Sequence, residues 1–145
     1  MSEITILRKP AEEMDDLDQK FDLVYLDPPF GLQRDFNMVE KDGREKGFSD
    51  SWKSFDDYID WYAEILNKCY SRLGDHGWIY AHNNFIGNAL VLSKVNSTVR
   101  DSFYTNISWK RSGPKNNIKN GWGNIVDSIM AVSYTHLTLP TNVQV

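Results

Sequence analysis

Hydrophobic positions along the chain form short strand-like runs and one long helical stripe. The run FDLVYL, Phe21–Leu26, is rich in β-forming residues and is stopped by two prolines, which predicts a buried strand that enters a tight turn. In Ser54–Leu73, apolar residues recur at i, i+3 and i+4. This pattern predicts an amphipathic helix with Ser54 as its N-cap and Gly74 just past its C-terminus.

Weaker patterns complete the predicted order of elements. Further strands are predicted at Ile4–Leu7, Gly77–His82, Phe103–Trp109 and Ile125–Met130, and further helices at Pro10–Asp18 and Phe85–Asn96. Residues 31–53 are polar, contain glycine and are highly charged, so we predict a long loop there. Strands that alternate with helices predict an α/β fold.

Composition limits the class of protein. The 145 residues suffice for one domain or part of one, and 41% hydrophobic residues suffice for a core. No apolar run approaches the roughly 18–20 residues of a membrane span, and the first ten residues lack the apolar segment of a secretory signal. We therefore expect a cytoplasmic protein without membrane contact.

Charge is distributed unevenly along the chain. Residues 1–60 carry eight Lys and Arg against 16 Asp and Glu, a net charge of −8. Residues 61–145 carry eight against four, a net charge of +4. The overall acidity argues against a nucleic-acid partner, but the basic second half weakens that objection.

The cysteine and histidine residues argue against disulfide bonds, a cysteine nucleophile and a metal site. One cysteine, Cys69, rules out an internal disulfide framework and a cysteine-rich zinc site. It lies on the apolar stripe of the predicted helix, so we interpret it as a core residue and not as a nucleophile. His76 and His82 have no metal-ligand spacing to other ligands, and we predict no metal site.

The stretch FDLVYLDPPFG, residues 21–31, places an acid, two prolines and an aromatic ring directly after a strand. Ligands of open α/β sheets bind beyond the carboxyl ends of strands. The two prolines fix φ, which predicts a stiff corner that presents the Asp27 carboxylate and the Pro28 carbonyl. These acceptors can hydrogen-bond the exocyclic amine of a nucleobase rotated out of its duplex, on which Phe30 can stack. The candidate catalytic residues are therefore Asp27, Pro28, Pro29 and Phe30.

The DPPF motif resembles the catalytic DPPY or DPPF sequence of the DNA amino-methyltransferases. Further matches follow in order: FSDSW at 48–52, RLGDHGWIYAHNN at 72–84, NISWKRS at 106–112 and GWGNIVDSIM at 121–130. The resemblance implies a Rossmann-like methyltransferase fold with S-adenosylmethionine as the methyl donor. It also implies that Asp27 and Pro28 contact this donor, and that double-stranded DNA is the partner.

The order of motifs resembles that of the β-group of this family, in which the glycine-rich donor motif F-x-G-x-G comes last. Only 26 residues precede Asp27, and F-x-G-x-G does not occur in the chain. We therefore expect a fold in permuted order that is incomplete, with residues 1–130 as its catalytic half and no activity from this half alone.

The C-terminal segment has a different resemblance. VSYTHLTLPT, residues 132–141, resembles a translated sequencing adapter from transposon-based library preparation. We therefore expect residues 131–145 to be a non-native tail. The alternative is an ordinary β-rich strand.

The resemblance also gives the expected reaction. The family members that methylate cytosine-N4 more often carry Ser at the first motif position, so Asp27 favours adenine-N6. The alternatives are a cytosine-N4 enzyme, a methyltransferase of RNA guanine-N2, and an inert fragment that binds DNA or a protein partner. The family further implies a prokaryotic or phage-encoded enzyme that forms a homodimer or acts beside a restriction endonuclease.

Basic residues near the predicted loops are candidates for contact with DNA phosphates, although a solvated loop explains them equally well. These candidates are Arg34, Lys110, Arg111, Lys115 and Lys119. Asp50 and Trp52 lie in the loop after the catalytic motif. They either close over a flipped base or anchor this loop to the following helix, and we favour the anchor.

Overall fold

The computed structural model describes residues 4–31, 34–39, 45–113 and 124–134, with the backbone alone for residues 34–39 and 45–49. After a short 3-10 helix, Ala11–Asp16, the strands are β1 (Phe21–Leu26), β2 (Arg34–Val39), β3 (Glu45–Asp50), β4 (Leu73–Asn83), β5 (Phe103–Lys110) and β6 (Val126–Ser133). The helices are α1 (Phe55–Ser71), α2 (Phe85–Val91) and α3 (Ser97–Asp101).

Four of these strands form a mixed sheet in the order β1-β4-β6-β5. β1 and β4 are parallel, and β6 runs antiparallel to both of its neighbours. Strands β2 and β3 form a separate antiparallel pair. The predicted α/β class is confirmed.

Helix α1 begins at its predicted N-cap. The Ser54 hydroxyl accepts a hydrogen bond from the Asp57 backbone N–H at 3.1 Å, and the acidic first turn is favoured by the helix dipole. The apolar stripe packs on one face of the sheet, where Tyr58 and Tyr62 are fully buried. The helix ends at Ser71 and not at Leu73, because Leu73 already pairs with β1 as the first residue of β4.

Several predicted elements are corrected by the structure. Residues 4–7 form no strand, and Ile4 and Ile6 are 87% and 80% exposed, with no strand beside them among the described residues. The predicted helix Pro10–Asp18 is a 3-10 helix of six residues. The predicted loop 31–53 contains β2 and β3, whose polar residues pair through backbone hydrogen bonds.

The predicted helix Phe85–Asn96 is divided into α2 and α3. The Ser93 N–H donates to the Leu90 carbonyl three residues earlier, and this tighter turn ends the first segment. Strand β6 continues through Ser133, three residues beyond its predicted end at Met130. That the residues from Val132 onward are non-native remains a prediction.

The two faces of the four-stranded sheet differ in what covers them. Residues of α1, α2 and α3 share one core with Ile79, Ala81 and Met130 of the sheet. On the opposite face, Leu23 and Tyr25 are 60% and 58% exposed, and no helix in the described part of the chain covers them. The prediction that β1 is a buried strand is therefore wrong, because a hydrophobic run does not reveal whether both faces are covered.

Cys69 lies inside the core beside the Met14 sulfur, and burial raises the pKa of its thiol to about 11 despite the nearby Arg72 charge. Because the thiolate is the reactive form, we expect iodoacetamide at about pH 8 to label native protein about 10²-fold more slowly than protein unfolded in guanidinium chloride. Equal labelling rates in the two states would contradict a buried Cys69.

Within the described residues, no helix is long and apolar enough to cross a membrane.

Candidate active site

The DPPF corner lies where two parallel strands end side by side. Leu26 pairs with Ala81 at the carboxyl ends of β1 and β4, and Asp27 is the next residue. The side chain of Asp27 is 59% exposed, whereas Pro28, Pro29 and Phe30 are half-buried. The corner therefore presents its carboxylate to solvent and keeps its backbone packed.

Gly31 turns the chain sharply after Phe30. Its φ of +65° lies in the left-handed region, which residues with a Cβ rarely adopt. A Cβ atom at this position would lie 2.6 Å from Cδ1 of Tyr58 and 3.0 Å from Cε2 of Phe55. Glycine is thus required both by the backbone conformation and by the close approach of α1.

Asp50 fixes the backbone of this turn from within the protein. Its fully buried carboxylate accepts hydrogen bonds from the Gly31 N–H at 3.0 Å and from the Trp52 indole N–H at 3.1 Å. Burial, with a further effect from the Asp50 charge, raises the pKa of the neighbouring Tyr58 to about 12. The geometry agrees with the anchoring role that the sequence favoured for Asp50 and Trp52.

Two asparagines hold the corner from the other side. The Asn84 amide donates to the Phe30 carbonyl at 3.1 Å, and its oxygen accepts from the Gly87 N–H at 2.7 Å as the N-cap of α2. The Asn83 oxygen accepts from the Asn84 N–H, while its amide donates to the Tyr58 hydroxyl. Sequence reasoning missed the bond from Asn84 to Phe30.

A row of four charged or titratable side chains crosses the sheet at this end. His82 Nδ1 lies 3.2 Å from Asp27 Oδ1, and its Nε2 lies 3.5 Å from Asp127 Oδ2. Arg111 Nε lies 3.3 Å from the same Asp127 oxygen. Sequence reasoning considered His82 only as a metal ligand, gave it no catalytic role and did not name Asp127, since only the strand register brings this row together.

Two aromatic residues enclose the His82 ring. The Tyr25 hydroxyl lies 3.3 Å from His82 Nδ1, and burial together with the Asp27 charge raises the pKa of Tyr25. The Phe30 ring meets the His82 ring edge-on, with centroids 5.3 Å apart. The catalytic motif and His82 thus form one cluster.

The candidate phosphate contacts are placed unequally. Lys110 is exposed at the end of β5, whereas Arg111 is directed to Asp127 and also donates from Nη2 to the Asn124 carbonyl at 2.8 Å. The Arg34 side chain lies outside the described part of the structure, as do Lys115 and Lys119. Phosphate contact by these residues remains a prediction.

Two observations bear on the predicted contacts of the corner with a base and with S-adenosylmethionine. None of the residues that the structure describes donates to the Pro28 carbonyl, so this acceptor is available to an amine. The same residues contain no glycine-rich turn between a strand and a helix. The predicted donor contacts of Asp27 and Pro28 stay predictions.

Comparison with protein families gives a match. The family model described as DNA methylase (N6/N4 type) matches residues 21–142, from the first residue of β1 through the catalytic corner and the rest of the sheet. The match includes the stretch that resembles a sequencing adapter and covers most of the chain. No curated protein matches the chain.

Proposed function

The chain belongs to the N6/N4 DNA methylase family, and from this premise we propose that it methylates the N6 amine of adenine in DNA with S-adenosylmethionine as the donor. The observation that carries the proposal is the corner after β1. There the exposed Asp27 carboxylate follows a strand end, while Asp50 and Asn84 hold the backbone of the following residues.

The amine of a nucleobase is a weak nucleophile because its lone pair is delocalised into the ring. In the proposed reaction, the Asp27 carboxylate and the Pro28 carbonyl accept its two hydrogens and favour tetrahedral geometry at nitrogen. Phe30 supports the flipped base by stacking. The bound donor supplies the methyl group, and the residues of the corner position the amine for the transfer. This reaction needs no protein nucleophile, in keeping with the buried, neutral thiol of Cys69.

The choice of adenine rests on Asp27 as the first residue of the motif. The amines of adenine and cytosine both carry two hydrogens, so the pair of acceptors serves either base. The product must therefore be identified chemically.

The proposal extends to the setting of the reaction. The DNA methylase family implies DNA as the substrate, and we propose that this DNA is double-stranded. We propose a prokaryotic or phage enzyme that acts in the cytoplasm. A homodimer and a restriction endonuclease are its proposed partners.

The test begins with the gene. We would resequence it across codon 130 in the source DNA and express the open reading frame found there. The purified protein is incubated with radiolabelled S-adenosylmethionine and with DNA or RNA, and the nucleosides are separated after digestion. We expect label in N6-methyladenine from DNA.

Other products would contradict particular parts of the proposal. Label in N4-methylcytosine would overturn the choice of base, and label in RNA guanine would overturn the choice of substrate. A reading frame that stops directly after Val145, together with no heat of donor binding in titration calorimetry, would favour the inert fragment.

A further inference from the structure

We infer that His82 is a positioning residue, which holds the Asp27 carboxylate in the orientation that the amine requires. Asp127 and Arg111 in turn hold His82. The inference rests on the proposed function, in which Asp27 accepts a hydrogen of the amine. It assigns a role to a cluster that the catalytic motif alone does not explain.

The strand register explains why Asp27 meets His82. Leu26 and Ala81 are paired in the parallel ladder, so the residues that follow them share the opposite face of the sheet. Asp27 and His82 are those residues. Their side chains meet at the end of the sheet, on the face that no described helix covers.

The register of the antiparallel strands extends the row. His82 pairs with Ile129 of β6, and Asp127 lies two residues from Ile129 on the same face. Asp127 pairs with Trp109 of β5, and Arg111 lies two residues farther along that chain. Each of the four strands therefore contributes one residue to the row, and each of these residues lies near the end of its strand or directly after it.

Acidic and basic side chains alternate along the row. The Asp127 side chain is only 9% exposed, and a carboxylate so removed from water requires a nearby positive charge. The guanidinium group of Arg111 supplies one at 3.3 Å. Neither His82 Nε2 nor Arg111 Nε has hydrogen-bond geometry to a described residue, so both contacts with Asp127 are electrostatic.

Asp27 differs from Asp127 because its side chain is mostly exposed and would otherwise rotate freely. His82 Nδ1 lies 3.2 Å from Oδ1, and no hydrogen bond or ion pair from a described residue reaches Oδ2, which leaves that oxygen for the amine. The Tyr25 hydroxyl and the Phe30 ring confine the imidazole from the side of β1. One oxygen is thus held while the other remains available.

The activity test compares two isosteric replacements. Asn at position 82 can keep a donor near Nδ1, toward Asp27, whereas Gln can keep one near Nε2, toward Asp127. We expect His82→Gln to lower the single-turnover rate of methyl transfer about 10²-fold with unchanged DNA affinity, and His82→Asn to retain most of the rate. His76→Gln, at an exposed position of β4, is the matched control and should behave as wild type.

A purely structural role predicts a different pattern. Equal rates for the two His82 variants, or rate losses that follow the melting temperature, would overturn the inference. The rate at saturating DNA is the decisive value, because weaker DNA binding alone would change the DNA concentration needed and leave this rate intact.

A second measurement does not depend on activity. The chain has three histidines, so their ring nitrogens can be assigned by NMR with nitrogen-15 label. We expect Asp27→Asn to shift the Nδ1 resonance of His82 and to leave His76 unchanged. An unchanged His82 resonance would overturn the inference. If the wild-type protein transferred no methyl group, the proposed function would fail, and this NMR comparison would still show whether His82 contacts Asp27.

Discussion

Replacing Asp27 by alanine is expected to lower methyl transfer about 10³-fold, because the amine loses the charged member of its pair of acceptors. Affinity for DNA should not fall, since it comes mainly from contacts between basic side chains and phosphates, and Asp27 is itself an exposed anion. The measurement is the single-turnover yield of methylated base, with DNA affinity determined separately by fluorescence anisotropy.

Two controls sharpen this experiment. Asp75→Asn removes a carboxylate from an exposed position near the start of β4, away from the corner, and should retain full activity. Asp27→Asn keeps an acceptor oxygen without the charge, so its rate should fall between those of alanine and aspartate. An Asp27→Ala protein with an unchanged yield of methylated base would remove this carboxylate from the reaction.

Gly31→Ala is expected to lower the free energy of unfolding by about 3 kcal/mol, through left-handed backbone strain and overpacking. The new methyl group would lie 2.6 Å from the fully buried Tyr58 ring. Relief of the clash would move the Gly31 N–H away from Asp50 and displace the adjacent Phe30. The variant should therefore also lose methyl transfer when folded.

Gly113→Ala is the matched control, because a Cβ atom there meets nothing within 4 Å among the described residues. Its free energy of unfolding should stay within about 0.5 kcal/mol of the wild type. Urea denaturation followed by circular dichroism measures both variants. Equal denaturation midpoints for the two would show that the contact between Gly31 and Tyr58 is not tight.

The features that the sequence predicted well depend on signals close together in the chain. The bounds of β1 follow from an apolar run stopped by prolines, and α1 follows from its stripe and from the Ser54 cap. The order of short motifs also predicted the family, which the match over residues 21–142 confirms.

The missed features depend on pairs of residues that are far apart in the chain. His82 lies 55 positions after Asp27, and only the register between β1 and β4 brings them together. Charged residues in the sequence concealed β2 and β3, because backbone pairing between strands places few demands on residue type. The exposure of Leu23 depends on what covers the sheet, which the run FDLVYL does not encode.

The hydrogen bonds that hold the DPPF corner also determine when this corner can form during protein synthesis. The hydrogen bond of the Gly31 N–H cannot form until Asp50 has been synthesised. The hydrogen bond of the Phe30 carbonyl cannot form until Asn84, 54 residues later, has been synthesised. Contacts over such separations form only after the cost of closing the intervening loops is met. On the ribosome, the DPPF segment therefore emerges early but acquires its final shape only after β4 and the start of α2 have left the exit tunnel. A ribosome stalled before that point would carry the motif without its active geometry.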